Sequence, residues 1–322
     1  MGLSDLLWLF FVFAALQPML RQRVQVLMRA RKIAQLQLKR GTRVITLVHR
    51  QETMRLLGFP LMRYIDMDDS EAVVRAIHEM ESSTPIDIVL HTPGGLVLAS
   101  LQIARALREH KGKVTVFVPH MAMSGGTLIA LAADEIVMCS HSMLGPIDPQ
   151  IGNFPAASLI KVVKDKPIAE IDDQTLILAD VGHKAMEQVC RAATELLEKH
   201  MAHDQARALA EKLSSGQWTH DYPITVTEAR ELGLNVSTEM PEEVFELMAL
   251  YPQPVRTTPT VEYLPTPPAP PQPASFMVFF DMGSSTLNQQ SQGVMQQAAA
   301  YKPGATVAAT GYTDTVGTPA FN

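Results

Sequence analysis

Two short glycine-bearing segments of this sequence hold residue types suited to acyl transfer. The first is His91-Thr92-Pro93-Gly94-Gly95, which follows the apolar run Ile86 to Leu90 and precedes a helical pattern from Leu96 to Arg108. A glycine pair there leaves backbone N–H groups unshielded by any Cβ, and such amides near a helix start suit a developing oxyanion. A strand-to-helix turn that needs positive φ uses the same residues, so Pro-Gly-Gly alone does not decide between the two. The second segment is Ala122-Met123-Ser124-Gly125-Gly126-Thr127, between the apolar run Val114 to Val118 and a helical run to Ala133. Ser124 falls at the helix cap, where the positive end of the helix dipole favours alkoxide character. Ser is also an ordinary N-cap, which is the competing use. Ala122 stands where a G-x-S-x-G elbow has its first glycine, so an α/β-hydrolase is not indicated.

A serine nucleophile needs a base, and two residues compete. Lys184 borders the apolar stripe Leu178, Val181, Ala185, Val189 and Ala192. Partial burial there would lower the pKa of the amine and leave it able to take a proton, whereas a solvated surface lysine stays charged. His220 lies beside Asp221 in a Thr-His-Asp-Tyr-Pro turn, and imidazole is the commonest general base. Sequence neighbours rarely form a His–Asp relay, however. No HExxH or CxxC spacing occurs, so neither a metal nor another cofactor is implied. Cys139 and Cys190 read as small buried hydrophobes.

The elements that must position these groups follow from periodicity. RVITLV, IDIVLHT and KVTVFVP read as strands, and each is followed by helical spacing, which predicts an α/β domain over 41–251. Long helices are expected over Asp172 to His200 and Pro241 to Leu250. Ahead of the domain, residues 1–40 hold an uninterrupted apolar run, Leu6 to Leu16, followed by Arg21, Arg23, Arg29, Arg31, Lys32, Lys39 and Arg40. The basic flank follows the run, unlike a signal peptide, and predicts an uncleaved single-pass membrane helix over Leu3 to Leu20 with the later residues cytoplasmic. Residues 252–273 are a proline-rich linker, and 274–322 form a fragment small for independent folding. The net charge of -6 and the lack of a basic stripe exclude nucleic acid as the expected partner.

Taken together, HTPGG, MSGGTLIALAADEIVM, HSMLGPIDPQIG, LSSGQWTHDYPIT and EARELGLNVS resemble the Clp-fold serine peptidases. The resemblance is to the SDH-type (serine dehydrogenase proteinase) branch, related to signal peptide peptidase A, and spans Thr42 to Pro252. It implies a Clp/crotonase-type fold of stacked ββα units, Ser124 as nucleophile, and an oxyanion hole from Gly94, Gly95 and Gly125. It also implies a protein or peptide substrate and a homo-oligomer. The Clp subunit uses a histidine after the nucleophile helix, whereas the position here falls near Ile147 and Asp148. Signal peptide peptidase A uses a lysine further on, whose place Lys184 matches, so the resemblance favours Lys184 as base with His220 as the alternative. The tail, FMVFFDMGSSTLN with TVAATGYTDTVGTPAFN, resembles the first half of an outer-membrane-protein-A-like domain, with Asp314 at the ligand aspartate. It stops before that family's arginine helix, so peptidoglycan binding is not expected.

The expected function is therefore a membrane-anchored serine endopeptidase. The alternatives are a crotonase-type acyl-thioester enzyme sharing the glycine-amide oxyanion hole, and a non-enzymatic envelope binder acting through the tail.

Overall fold

The computed structural model describes residues 3–49, 64–251, 276–279 and 286–301. In chain order, helix α1 (Leu3–Arg40) leads into strand β1 (Arg43–Val48), followed by α2 (Met67–His78), β2 (Ile86–His91), α3 (Val97–Glu109) and β3 (Val114–Val118). Then come β4 (Met121–Ala122), α4 (Gly125–Leu131), β5 (Glu135–Met138), β6 (Met143–Leu144), β7 (Gln150–Ile151) and β8 (Phe154–Pro155). The domain closes with α5 (Ala156–Asp165), α6 (Asp173–Leu197), α7 (His203–Ser214), α8 (Val226–Glu231), β9 (Val236–Ser237) and α9 (Glu242–Ala249).

Five strands form one parallel sheet in the order β1-β2-β3-β5-β9. A parallel sheet must be covered on both faces, and the side-chain alternation of the central strands does this. Val89, Phe117 and Val137 point to one side, where Leu36 of α1 and Val244, Leu247 and Met248 of α9 cover them. Ile88, Leu90, Val116, Val118, Ile136 and Met138 point to the other, into a larger core with α3, α4, α6 and α7. Asp87 interrupts the apolar pattern of β2, yet it is only 1% exposed. Its carboxylate accepts from Arg40 Nε at 2.5 Å and Thr42 Oγ1 at 2.7 Å, so the buried charge is paired and ties the end of α1 to the sheet.

A second, shorter set of pairings forms at the carboxyl ends of these strands. Thr92 bridges to Ala122, β4 pairs in parallel with β6, and Leu144 bridges to Ile224. Strand β3 is thus followed by the short β4 and then by α4.

Residues Leu3 to Arg40 form one helix, and among the described residues no helix is long and apolar enough to cross a membrane. The side chains of Leu6 to Leu16 lie outside the described residues. The basic half of α1 is part of the domain instead: Ile33 and Leu36 pack on the α9 side, and Lys32–Glu246 and Lys39–Glu243 pair at 2.7 and 2.5 Å. The chain divides into the units Met1–Thr258 and Pro259–Asn322. In the second, α10 (Gln289–Tyr301) carries Ser291, whose hydroxyl donates to the Phe279 carbonyl. The linker 252–273 and Asp314 lie outside the described residues.

Candidate active site

Ser124 sits two residues beyond Ala122 and immediately before α4, with φ 51° and ψ -115°. Among the described residues it is the one non-glycine with positive φ. Such a conformation costs about 1–3 kcal/mol and persists where surrounding packing enforces it. The Ser124 side chain makes no capping hydrogen bond. The plain N-cap use is therefore not realised, and the hydroxyl is displayed rather than spent on the helix. The backbone has the sharp strand-to-helix turn of a nucleophile elbow although the G-x-S-x-G pattern is absent.

The glycine loop closes on Ser124 from the neighbouring strand end. Gly94 has φ 114°, and a Cβ there would stand 2.8 Å from Ser124 Cβ, so side chains are excluded twice over. A Cβ on Gly125 would stand 2.2 Å from Ser100 Oγ and 3.5 Å from Gly95 N, which brings the two amides of interest to one place. Among the described residues neither the Gly95 nor the Gly125 amide has an acceptor. The Gly94 amide differs: it donates to Thr92 Oγ1 at 3.1 Å. Of the three glycines expected to hold an oxyanion, Gly95 and Gly125 keep free N–H groups, while Gly94 supplies the turn.

Opposite the glycine loop along the short layer, the next two chain passes bring a histidine and a carboxylate together. Asp148 follows Leu144 by four residues, and His220 precedes Ile224 by four; Leu144 and Ile224 are bridged. His220 Nδ1 lies 2.8 Å from Asp148 Oδ1 across 72 positions of sequence. Asp148 is 3% exposed, and its other oxygen accepts from Gln150 Nε2 at 2.7 Å. The hydrogen bond to Asp148 raises the His220 pKa above its usual 6.5, against the opposing effect of burial. Thr127 Oγ1 lies 2.8 Å from both the Ala122 and Gly145 carbonyls and accepts from Gly145 N at 3.1 Å, locking α4 to this pass. Met123, the residue before Ser124, also packs against Gly145.

Comparison with known proteins decides the family. Residues 1–275 match the model of the ClpP-like SDH-type serine proteinases. The chain belongs to that family. It is also similar to an uncharacterised protein of Methanocaldococcus jannaschii, 50% identical over 260 residues that cover 81% of this chain and 91% of the relative. Among solved structures, a membrane-bound stomatin-specific protease is 21% identical, with a TM-score of 0.40, over 57% of this chain and 79% of its own. ClpP1 from Listeria monocytogenes is 16% identical, with a TM-score of 0.38, over 62% and 94%. The family match ends at residue 275, so the outer-membrane-protein-A-like resemblance of the tail is not shown by it.

In this SDH-type proteinase Lys184 is not where the apolar stripe placed it. Its side chain is 63% exposed and its Nζ pairs with Asp180 at 2.5 Å, one turn back on α6. Val189 and Ala192 of that stripe are buried, together with Ala179, Gly182 and Ala193, while Val181 is 44% exposed. The partial burial expected of Lys184 is absent. Asp221 does not partner His220 either; Asp148, which sequence reasoning passed over, does. The available signal was a carboxylate set in the apolar, proline-flanked run Gly145-Pro146-Ile147-Asp148-Pro149. Beside Gly95 a cleft of about 720 Å³ opens, lined by His49, Tyr64, Ile65, Asp66, Asp68, Asp69 and Leu96. Among the described residues no three His, Cys, Asp or Glu side chains converge as metal ligands.

Proposed function

We propose that this proteinase cleaves peptide bonds through an acyl-enzyme on Ser124, with His220 as the base, Asp148 orienting it, and the Gly95 and Gly125 amides receiving the oxyanion. The observation that carries the reading is the His220–Asp148 contact on the same short layer that ends in the strained Ser124. Asp148 accepts the Nδ1 proton, which leaves Nε2 as the lone pair available to Ser124. The Ser124 oxygen attacks the carbonyl carbon as its proton passes to His220; the carbonyl electrons move onto oxygen and are met by two preorganised N–H groups. Collapse expels the amine, which takes the proton from His220, and water repeats the sequence to release the acid and restore Ser124. The cleft beside Gly95 gives a polypeptide substrate somewhere to lie.

Labelling with a fluorophosphonate tests the nucleophile. Modification confined to Ser124, and an inert Ser124→Ala protein, are expected; labelling at another residue overturns the assignment.

The same reading retains a membrane tether through the apolar Leu6 to Leu16 end of α1, supported by its composition and its basic flank. Sedimentation of the full chain with membranes after a high-salt wash is expected. A fully released protein contradicts it.

A further inference from the structure

Two buried side chains behind the glycine loop, His49 and Thr92, and the partly exposed carboxylate of Asp69 form a second chain that the reaction above does not use. His49 follows β1 and is 6% exposed; Thr92 is fully buried. His49 Nε2 lies 3.1 Å from Asp69 Oδ2, and His49 Nδ1 lies 3.0 Å from Thr92 Oγ1. Thr92 Oγ1 in turn accepts the Gly94 N–H at 3.1 Å. We infer that Asp69, His49 and Thr92 are positioning residues: they hold the Gly94 N–H, and with it the Pro93–Gly94 peptide, so that the next peptide turns the Gly95 N–H to the reacting carbonyl.

Proton placement makes the chain directional. A carboxylate only accepts, so a proton on His49 Nε2 faces Asp69, and in the tautomer that leaves Nδ1 unprotonated this nitrogen accepts from the Thr92 hydroxyl. The hydroxyl then donates to His49 and accepts from Gly94, giving one aligned series from Gly94 N–H to the Asp69 carboxylate. Series of this kind polarise each other and hold their members more firmly than isolated bonds. The competing acceptor for the Thr92 proton, the Gly94 carbonyl, lies farther off, at 3.2 Å against 3.0 Å for His49, and also accepts the Ile65 N–H at 2.8 Å.

The Ile65 bond completes the device. In a planar trans peptide the C=O and N–H point in opposite directions. Holding the Gly94 carbonyl on Ile65 turns the Gly95 N–H to the other side, where Gly125 lies. The Ile65 carbonyl in turn accepts the Leu96 N–H at 2.8 Å, so both flanks of Gly95 are pinned while its own amide has no acceptor among the described residues. Gly94, at φ 114°, sits where any rotation of the peptide would swing this amide away. Asp69 also belongs to the capping box that starts α2, so the chain anchors the loop to that helix.

The inference rests on the Ser124 reading, and its test separates the two. Hydrolysis of a fluorogenic casein substrate and the rate of fluorophosphonate labelling are measured on the full chain for the parent, Thr92→Val, Thr92→Ser and His49→Gln. Thr92→Val keeps the shape and deletes the hydroxyl. It is expected to lower kcat and the labelling rate by about 10- to 100-fold with KM within about two-fold, because an oxyanion donor acts mainly in the transition state. Thr92→Ser restores most of the rate, and His49→Gln falls between. A Thr92→Val protein that melts lower but keeps kcat and labelling rate gives Thr92 a purely structural role and overturns the inference. So does a Thr92→Ser protein as slow as Thr92→Val. A parent that labels away from Ser124 removes the catalytic reading itself, and this inference with it.

Discussion

At the scale of single residues the site depends on conformations that few side chains tolerate. Ser124 holds positive φ without a glycine, so Ser124→Gly should melt above Ser124→Ala, with a difference of the order of 1 kcal/mol by urea titration. A pure helix cap would instead lose stability with either change. His220 yields the pH dependence. Its pKa is raised by Asp148, and catalysis needs the neutral ring, so activity should rise with pH through a value above 6.5. The stability contribution has the opposite sign: a raised folded-state pKa stabilises fully below about pH 6.5 and is lost as pH climbs through the folded value. Asp148→Asn should move the activity limb down toward 6.5 and lower kcat by about 10³- to 10⁴-fold through the wrong tautomer. A pH–rate profile of the two proteins measures both.

At the scale of elements, most of the core was legible, because strands buried on both faces are continuous apolar runs and helices repeat at their own period. RVITLV, IDIVLH and VTVFV are strands where expected, and the helix from Asp172 ends early, at Leu197, before a second one begins at His203. What sequence could not supply was the helix phase around Lys184 and the pairing between distant passes. One residue of rotation decides whether Lys184 faces the core, and the stripe chosen included Val181, which faces solvent. The Asp148–His220 contact depends on the Leu144–Ile224 bridge, which no local pattern encodes. The tie between α1 and the sheet is testable. Leu36 is fully buried under α9, so Leu36→Ala should cost about 2–5 kcal/mol. Arg40→Met leaves Asp87 buried without its cation and should cost about 3–5 kcal/mol. Denaturant unfolding of both variants checks this; values below 1 kcal/mol would detach α1 from the cooperative core.

At the scale of the whole molecule, the proposed catalytic groups all lie within the unit Met1–Thr258, and the family match covers 1–275. Truncation after Thr258 should therefore leave casein hydrolysis and Tm nearly unchanged, while a loss of several degrees would show that the tail supports the domain. Within that unit the parallel sheet presents three consecutive strand ends, carrying the glycine loop, Ser124 and Asp148, and the return through His220 closes the set. The most direct test of the Ser124–His220–Asp148 assignment is the rate of acyl-enzyme formation at Ser124, followed by mass spectrometry in a single turnover, for His220→Gln and Lys184→Met side by side. His220→Gln should fail to acylate while Lys184→Met acylates at close to the parent rate. Rapid acylation of His220→Gln together with an inert Lys184→Met would contradict the assignment and return the proton to the lysine.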